Sequence, residues 1–250
     1  MNARLPRPGR PYPIDGELAL HLRRRPMGFY SKYVLPTLTD LAMRSHTLRP
    51  ERARWVSLAK GVVLEIGVGS GLNLPMYGRE VRKLYALDPS EELLRRARLR
   101  AAWVAFAVEF LCRSAEAIPL GEASVDSVVT TWTLCTIPDP MAALQEIRRV
   151  LRPEGRLIFV EHGRSPDPAV VRWQDWLTPL WRRVAGGCHL NRPIDQLLRL
   201  GGFEVVEMNR GYLAGPRVGG YLYRGTARPA AGRRILAANT WTDKGVAYGA

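Results

Sequence analysis

The feature that most constrains the fold is a glycine-rich segment, Gly67-Val68-Gly69-Ser70-Gly71, directly after the apolar stretch Val62–Ile66. A second, mostly apolar stretch, Lys83–Leu87, ends in Asp88. In a doubly wound α/β sheet, two such strand ends open onto one crevice that binds nucleotide-like ligands. Glycines let the backbone turn tightly and approach a ligand, and a carboxylate accepts hydrogen bonds from ribose hydroxyls. We therefore expect a nucleoside site at this crevice.

The glycine spacing narrows the class of nucleotide. Dinucleotide sites use G-x-G-x-x-G, whereas here the third glycine is Gly71 and the position that this fingerprint needs is Leu72. Glu65, just before the first glycine, brings negative charge close to the turn and suits a cationic ligand better than a phosphate. The pattern therefore disfavours a nicotinamide dinucleotide.

From residue 61 onward, strand and helix patterns alternate, which predicts a parallel sheet with helices on both faces. The predicted strands are 62–66, 83–88, 105–111, 125–131, 155–161, 203–209 and 217–225. The predicted helices are 29–44 and 50–60, then 71–77, 90–100, 139–151, 168–185 and 192–200. Pro36 is expected to kink the first helix or to mark a boundary in it. The short connection between the last two strands permits an antiparallel hairpin at one edge.

Length and composition indicate one domain with appendages. The chain has 250 residues and a hydrophobic content of 46%, which is enough for a sizeable core. We expect a flexible basic arm over 1–27, the folded domain over 28–228 and a flexible tail over 229–250. Neither a signal peptide nor a membrane-spanning run is found, so the predicted location is the cytoplasm.

The chain is basic, with a formal net charge of +14 from 37 basic and 23 acidic residues. The basic residues are mostly arginines spread along the chain, an excess that codon bias can produce. Nucleic acid binding would require a basic stripe interleaved with exposed aromatic residues, which the sequence lacks. Weak contact with a membrane surface, or an anionic substrate, stays open.

Three scattered cysteines, Cys112, Cys135 and Cys188, contain no C-x-x-C pair. This pattern indicates neither a disulfide framework nor a metal site, and the sequence neighbours of Cys188 do not complete a metal-ligand set. Cys135 is expected to be a small buried thiol that packs.

Two histidines are candidate general bases, because imidazole titrates near neutral pH. His162 ends the fifth predicted strand, and His189 lies in a turn after the helix over 168–185. A structural role is an equal alternative for His162. That helix carries Trp173, Trp176 and Trp181 on one face. We expect at least two of these tryptophans to pack in the core. The alternative is that they form an apolar lid over a lipophilic substrate.

The chain from about residue 28 to 228 resembles the class I S-adenosylmethionine methyltransferases of the methyltransferase type 11 group. It is similar to the branch of the microsomal alkyl-thiol methyltransferases and their bacterial counterparts. The segments that carry the resemblance are Leu64–Leu72, Leu87–Pro89, Ser124–Val129, Thr133–Cys135, Glu146–Gly155, Glu161–His162, Trp173–Trp181 and Gly187–Arg192.

The resemblance implies a seven-stranded sheet with a final antiparallel hairpin, and S-adenosylmethionine as cofactor. The implied cofactor residues are Glu65, Gly67, Gly69, Gly71, Asp88, Ser114, Ala115, Glu116 and Thr131 or Trp132. Ser114 departs from the acidic residue that is usual in the family. The chain also has a polar, basic arm where the animal enzymes have a hydrophobic anchor.

The predicted function is methyl transfer to a small lipophilic acceptor, for which we expect a thiol. No obligate protein partner is implied. Two alternatives stay open: N-, O- or C-methylation of a phospholipid amine or a quinol at a membrane surface, and non-catalytic binding of S-adenosylmethionine.

Overall fold

The computed structural model describes residue 28, residues 30–231 and the pairs 241–242 and 245–246. Its helices are a π-helical turn Tyr30–Val34, α1 Leu35–Met43, α2 Arg49–Val56, a 3-10 turn Leu74–Met76, α3 Glu91–Ala101, α4 Pro140–Val150, α5 Pro168–Val184, α6 Ile194–Leu200 and α7 Arg217–Gly220. Its strands are β1 Gly61–Ile66, β2 Val81–Leu87, β3 Ala107–Leu111, β4 Val125–Thr131, β5 Leu151–His162, β6 Phe203–Tyr212, β7 Tyr221–Pro229, β8 Trp241–Thr242 and β9 Gly245–Val246.

Seven strands form one sheet in the order β3-β2-β1-β4-β5-β7-β6. The pairs from β3 to β5 are parallel, and β7 is antiparallel to both β5 and β6. This confirms the expected doubly wound sheet with a final hairpin. The order reverses at β1 and β4, so the carboxyl ends of these strands border the crevice in which such folds bind ligands.

Side-chain caps explain where three of the helices begin. Ser90 Oγ accepts a hydrogen bond from the Leu93 N–H at the start of α3. Asp139 and Asp167 cap α4 and α5 in the same way, each followed by proline at the first helical position. A cap of this type stabilises a helix by about 1 kcal/mol. The buried face of α4, with Leu144 and Ile147 among its residues, packs into the main core.

Several predicted elements differ from the structure; β5, for example, begins at Leu151 rather than at residue 155. The segment 71–77 is not an α-helix but a short turn, Leu74–Met76, because Gly71 has a positive φ and Pro75 follows it closely. The predicted strand over 217–225 begins late: Pro216 starts the single turn α7, and β7 starts only at Tyr221.

The N-terminal helix is divided rather than continuous. A π-helical turn ends at Val34, and Pro36 lies in the first turn of α1, so Pro36 marks a boundary. The predicted arm over 1–27 and most of the tail lie outside the described residues. None of the described helices is both long and apolar enough to cross a bilayer.

Candidate functional site

A cavity of about 680 Å³ opens at the carboxyl ends of β1, β2 and β4. The side toward the sheet is formed by residues that follow these strands, and the opposite side by α1 and the end of α5. The residues on the sheet side include Ile66–Ser70, Leu87–Ser90, Ser114, Ala115 and Thr131–Thr133. The cavity therefore lies where the sequence predicted a nucleoside site.

The glycines of the glycine loop, residues 67–71, have two different tasks. Gly67 and Gly69 line the cavity and have φ values of 69° and 54°. Gly71 does not line it; a Cβ on Gly71 would lie 2.8 Å from Leu74 Cδ1 and 3.1 Å from Ala97 Cα. Gly69 thus leaves room for a ligand, whereas Gly67 and Gly71 permit close packing, Gly67 against the Thr133 side chain and Gly71 against α3.

Asp88 is buried at the end of β2, and its carboxylate is held by the backbone. Oδ2 accepts from the Gly69 N–H at 3.0 Å, and Oδ1 accepts from the Ser90 N–H at 2.8 Å. Burial raises the pKa of Asp88 to about 6, although these two N–H groups oppose the shift. The carboxylate lines the cavity and keeps lone pairs for the hydroxyls of a sugar.

Glu65 lies beneath the cavity wall rather than in it. Its carboxylate accepts hydrogen bonds from Asn73 Nδ2 at 2.7 Å and from the Tyr77 hydroxyl at 2.8 Å. Burial raises its pKa to about 7, while Tyr77, Asn73 and the charge of Arg52 act against that rise. Glu65 is therefore linked to the cavity through Asn73, and its contact with the cofactor stays a prediction.

Asn73 is a site residue that the sequence did not suggest. Its Nδ2 also donates to Thr131 Oγ1 at 2.9 Å, and Oδ1 takes no part in these bonds. Among the described residues this buried Oδ1 has no hydrogen-bond partner, and Asn73 lines the cavity. An unpaired buried acceptor costs free energy until a donor arrives, so this oxygen has the capacity to accept one more hydrogen bond.

Arg52, from α2, is a second residue that the sequence did not suggest. It is buried, lines the cavity, and holds its guanidinium 5.0 Å above the ring of Trp132. Burial lowers its pKa to about 10, although the charge of Glu65 opposes this. Only the three-dimensional fold brings this arginine to the predicted cofactor residues.

Ser114 and Ala115 follow β3 and line the cavity, and their contact with the cofactor stays a prediction. Glu116 lies behind them. It accepts from the Ser114 hydroxyl at 2.5 Å and from the Asp139 N–H at 2.8 Å. Its position supports the loop, and a direct contact with the cofactor stays a prediction.

Helix α1 covers the cavity, and both α1 and the π-helical turn before it are held in place by polar contacts. Asp40 accepts a hydrogen bond from Ser70 in the glycine loop and forms an ion pair with Arg100 of α3 at 3.2 Å. In the π-helical turn before α1, the Tyr30 hydroxyl donates to the Val184 carbonyl at 2.6 Å. Asp40 is a third residue that the sequence did not suggest.

The part of the cavity lined by α1 and by residues 137–138 is mainly apolar, with a cationic rim. The apolar residues are Leu35, Pro36 and Met43 of α1 together with Ile137 and Pro138. Arg182 and Arg183, at the end of α5, also line it. This part of the cavity therefore suits a lipophilic molecule that ionises to an anion.

Neither candidate base lines the cavity. His162 and His189 are buried behind its wall. His162 Nε2 lies 3.0 Å from Cys188 Sγ, and His189 Nδ1 lies 3.2 Å from the Cys135 carbonyl. Cys135 is buried, as expected. A role for either histidine as a base stays a prediction.

The expectation that at least two tryptophans of α5 pack in the core was wrong. Trp173, Trp176 and Trp181 are 59%, 71% and 39% exposed. Trp173 and Trp176 pack edge to face with ring centroids 5.6 Å apart. The buried residues of α5 are Val170, Gln174 and Thr178 instead, because the helix face toward the fold is partly polar.

Comparisons with known proteins agree with this geometry. Residues 64–159 match the methyltransferase domain family. Thiol S-methyltransferase TMT1B of Homo sapiens is 30% identical over 193 residues, covering 72% of this chain and 78% of the relative. Phosphatidylethanolamine N-methyltransferase of Cereibacter sphaeroides is 32% identical over 172 residues, covering 65% of this chain and 80% of the relative.

Solved structures share the fold. The 1,6-didemethyltoxoflavin-N1-methyltransferase of Burkholderia thailandensis, solved with bound S-adenosylhomocysteine, is 23% identical with a TM-score of 0.58, over 92% of this chain and 93% of that one. A SAM-dependent methyltransferase of Aquifex aeolicus is 21% identical with a TM-score of 0.54, over 78% and 98%. With the glycine loop, Asp88 and the unpaired Asn73 oxygen all at one cavity, the chain belongs to the S-adenosylmethionine-dependent methyltransferases.

Proposed function

We propose that this methyltransferase methylates the sulfur of a small lipophilic thiol. The observation that carries the proposal is the part of the cavity formed by α1 and the end of α5, which is apolar and bordered by Arg182 and Arg183. The name of the relative TMT1B, a thiol S-methyltransferase, supports the same acceptor.

The residues present fit the cofactor, which supplies a methyl group on a positively charged sulfur. Asp88 would hold the ribose hydroxyls and Asn73 Oδ1 the ammonium group. Ser114 and Ala115 would border the base. Glu65 adds negative charge beneath these groups, in a buried setting where charge acts more strongly than in water.

The acceptor side of the cavity would contribute positioning and charge. Apolar residues of α1 exclude water and hold a lipophilic chain, and alignment of two reactants can supply about 7–11 kcal/mol. Positive charge on Arg182 and Arg183 favours the thiolate over the thiol. A free thiol has a pKa of about 8.5, so a few per cent is already thiolate at neutral pH. A thiol acceptor therefore does not need a general base within the cavity. The positive charge of Arg182 and Arg183 also disfavours a protonated amine as acceptor.

The test is methyl transfer from labelled S-adenosylmethionine to a panel of acceptors of similar lipophilicity. The panel contains an alkyl thiol and the matching alcohol and amine, and also a quinol and phosphatidylethanolamine in vesicles. We expect label on the thiol, with the rate rising between pH 6 and 8.5. Label on the amine or the quinol but not on the thiol would refute the proposal.

One observation favours a second candidate, methylation of a phospholipid amine at a membrane surface. Trp173 and Trp176 are exposed beside Arg172 on α5, an arrangement that suits a lipid interface. The name of the Cereibacter sphaeroides relative also points to this acceptor. Sedimentation with anionic vesicles, compared between the wild type and a Trp173→Ser, Trp176→Ser variant, tests it; equal binding would count against it.

A further inference from the structure

Behind the cavity wall lies a cluster of three side chains, Cys135, His162 and Cys188. They come from the loop after β4, the end of β5 and the turn after α5. His162 Nε2 lies 3.0 Å from Cys188 Sγ, and the two sulfurs lie 3.9 Å apart. The ligand-type atoms of all three residues lie within 4.8 Å of one another. We propose that this cluster binds one zinc ion.

The donor set selects the kind of ion. Two thiolates and one imidazole are soft or borderline ligands, and tetrahedral sulfur and nitrogen sites are typical of Zn²⁺. Oxygen ligands, which Ca²⁺ and Mg²⁺ prefer, are not part of the cluster. Three protein ligands leave a fourth position for water or an exogenous thiolate, as zinc sites with an open position do.

The distances fit zinc better than a disulfide. With Zn–S bonds of about 2.3 Å, two sulfurs on a tetrahedral ion lie about 3.8 Å apart, close to the observed 3.9 Å. The nitrogen–sulfur pair at 3.0 Å would open by about half an ångström to take its place on the same ion. A disulfide would instead bring the sulfurs to about 2.05 Å, which needs a movement of nearly 2 Å.

The three segments are already held together by backbone hydrogen bonds. The His189 N–H donates to the Cys135 carbonyl at 2.8 Å, and the Trp132 N–H donates to the Val160 carbonyl at 2.8 Å. The site is therefore preformed, and binding zinc does not require the chain to fold around the ion. The thiols of Cys135, which is buried, and of Cys188, which is half-buried, are therefore not needed to join the segments, and they can bind a ligand together with the imidazole.

The surroundings of His162 determine how tightly we expect the site to bind zinc. Among the described residues its buried Nδ1 has no hydrogen-bond partner. Histidine ligands normally donate from the second nitrogen, and loss of that partner costs about 10–100-fold in metal affinity. We expect this site to bind zinc more weakly than a closed structural site by about that factor.

The inference is independent of the methyl acceptor. The sequence did not indicate this site because its residues lie 26 and 53 positions apart and no short motif joins them. The cluster becomes visible only where β4 and β5 end side by side.

The experiment measures zinc bound per chain in the full-length protein, stripped with a chelator and then equilibrated with excess Zn²⁺. The variants are Cys135→Ala, Cys188→Ala and His162→Gln. Cys112→Ala is the matched control, because Cys112 lies elsewhere, with its thiol 3.7 Å from the Pro89 carbonyl. We expect one equivalent in the wild type and in the control, and loss of that equivalent in the three other variants.

Cobalt provides a second readout that needs no variant. Co²⁺ in place of zinc should give the thiolate-to-metal charge-transfer absorption of a sulfur-ligated tetrahedral ion in the wild type. The proposal fails if this band is absent, if Cys112→Ala abolishes binding, or if Cys135→Ala and Cys188→Ala retain the full equivalent. Isolation of Cys135 and Cys188 as a disulfide from protein purified without reductant would also overturn it.

Discussion

Asp40 of α1 accepts a hydrogen bond from the hydroxyl of Ser70, in the middle of the glycine loop. The helix that precedes the sheet is thereby fastened to the loop that borders the cofactor cavity. Although burial raises the pKa of Asp40, the Ser70 hydroxyl and the charges of Arg44 and Arg100 lower it below its usual value. The carboxylate is therefore charged at neutral pH and forms a strong link between α1 and the glycine loop.

Breaking this link should weaken cofactor binding. A hydrogen bond to a charged group contributes about 1.5–3 kcal/mol, so we expect Ser70→Ala to reduce S-adenosylmethionine affinity by up to about tenfold, mainly through faster dissociation. Stopped-flow dissociation and calorimetry measure this. Glu204→Gln is the control, because it breaks the exposed Glu204–Arg228 ion pair on β6 and β7. Unchanged dissociation in Ser70→Ala would show that α1 does not hold the cofactor in place.

Asp88 should be decisive for nucleoside binding. Asp88→Asn keeps the shape but turns two acceptor oxygens, bonded to the Gly69 and Ser90 N–H groups, into one acceptor and one donor. We expect a loss of about 10–100-fold in affinity for S-adenosylhomocysteine, because hydrogen bonds to a charged acceptor are worth about 1.5–3 kcal/mol each. Calorimetry of the two proteins checks it. Equal affinity, or preferential binding of NADH by the wild type, would contradict the assignment.

Substitutions at Gly69 and Gly71 should separate the effect of the glycine loop on cofactor binding from its effect on the stability of the fold. A Cβ on Gly69 meets nothing closer than the Gly67 carbonyl at 3.9 Å, whereas on Gly71 it lies 3.1 Å from Ala97 Cα. Both positions have positive φ, which costs a side chain about 1–2 kcal/mol. Gly71→Ala adds overpacking of about 1–3 kcal/mol.

We therefore expect Gly71→Ala to lower the denaturation midpoint more than Gly69→Ala does. Gly69→Ala should instead reduce cofactor affinity more, because its methyl group enters the cavity. Denaturant unfolding and calorimetry on both variants decide the matter. The interpretation is wrong if the two variants lose stability equally and Gly71→Ala has the larger effect on affinity.

The sequence predicted the parts of this molecule that depend on local pattern. The alternation of strands and helices, the glycine loop and Asp88 follow from short apolar runs and the residues that end them, whereas the order of the strands in the sheet is known only from the structure. Asn73, Arg52 and Asp40 could not be found in this way, because each belongs to a different segment and reaches the cavity only when the fold is complete. The error over Trp173 and Trp176 has a related cause: periodicity defines a helix face but not whether that face points inward.

The pKa of Glu65 predicts opposite pH effects on stability and on binding. Its folded pKa of about 7 exceeds its ordinary value of 4.5, so the folded state holds the proton more tightly between these pH values. Stability of the free protein should fall as pH rises from 4.5 to 7, by on the order of 3 kcal/mol from this group. A cationic ligand favours the charged carboxylate, so affinity for S-adenosylmethionine should rise over the same range.

Glu65→Gln should flatten both profiles above pH 6. Asp88, with a pKa of about 6, should keep the lower part of the binding profile in that variant. Calorimetric titration and urea unfolding across pH 5–8 provide the measurements. Binding by S-adenosylhomocysteine, which lacks the sulfonium charge, should depend less steeply on pH. The same slope for both ligands would mean that Glu65 does not sense the sulfonium.

Arg183 should tune the acceptor rather than the cofactor. Arg183→Met keeps much of the apolar stem but removes a positive charge from the rim of the cavity. Because the side chain is exposed, its interaction with a thiolate is worth about 0.2–1 kcal/mol, so we expect kcat/KM for a thiol at pH 7 to fall by a factor between about 1.4 and 5. The pH profile should shift to higher pH, because less of the bound thiol is ionised. Affinity for S-adenosylhomocysteine should be unchanged. A fall in cofactor affinity with an unchanged pH profile for the thiol would mean that Arg183 borders the cofactor. The acceptor would then bind elsewhere in the cavity.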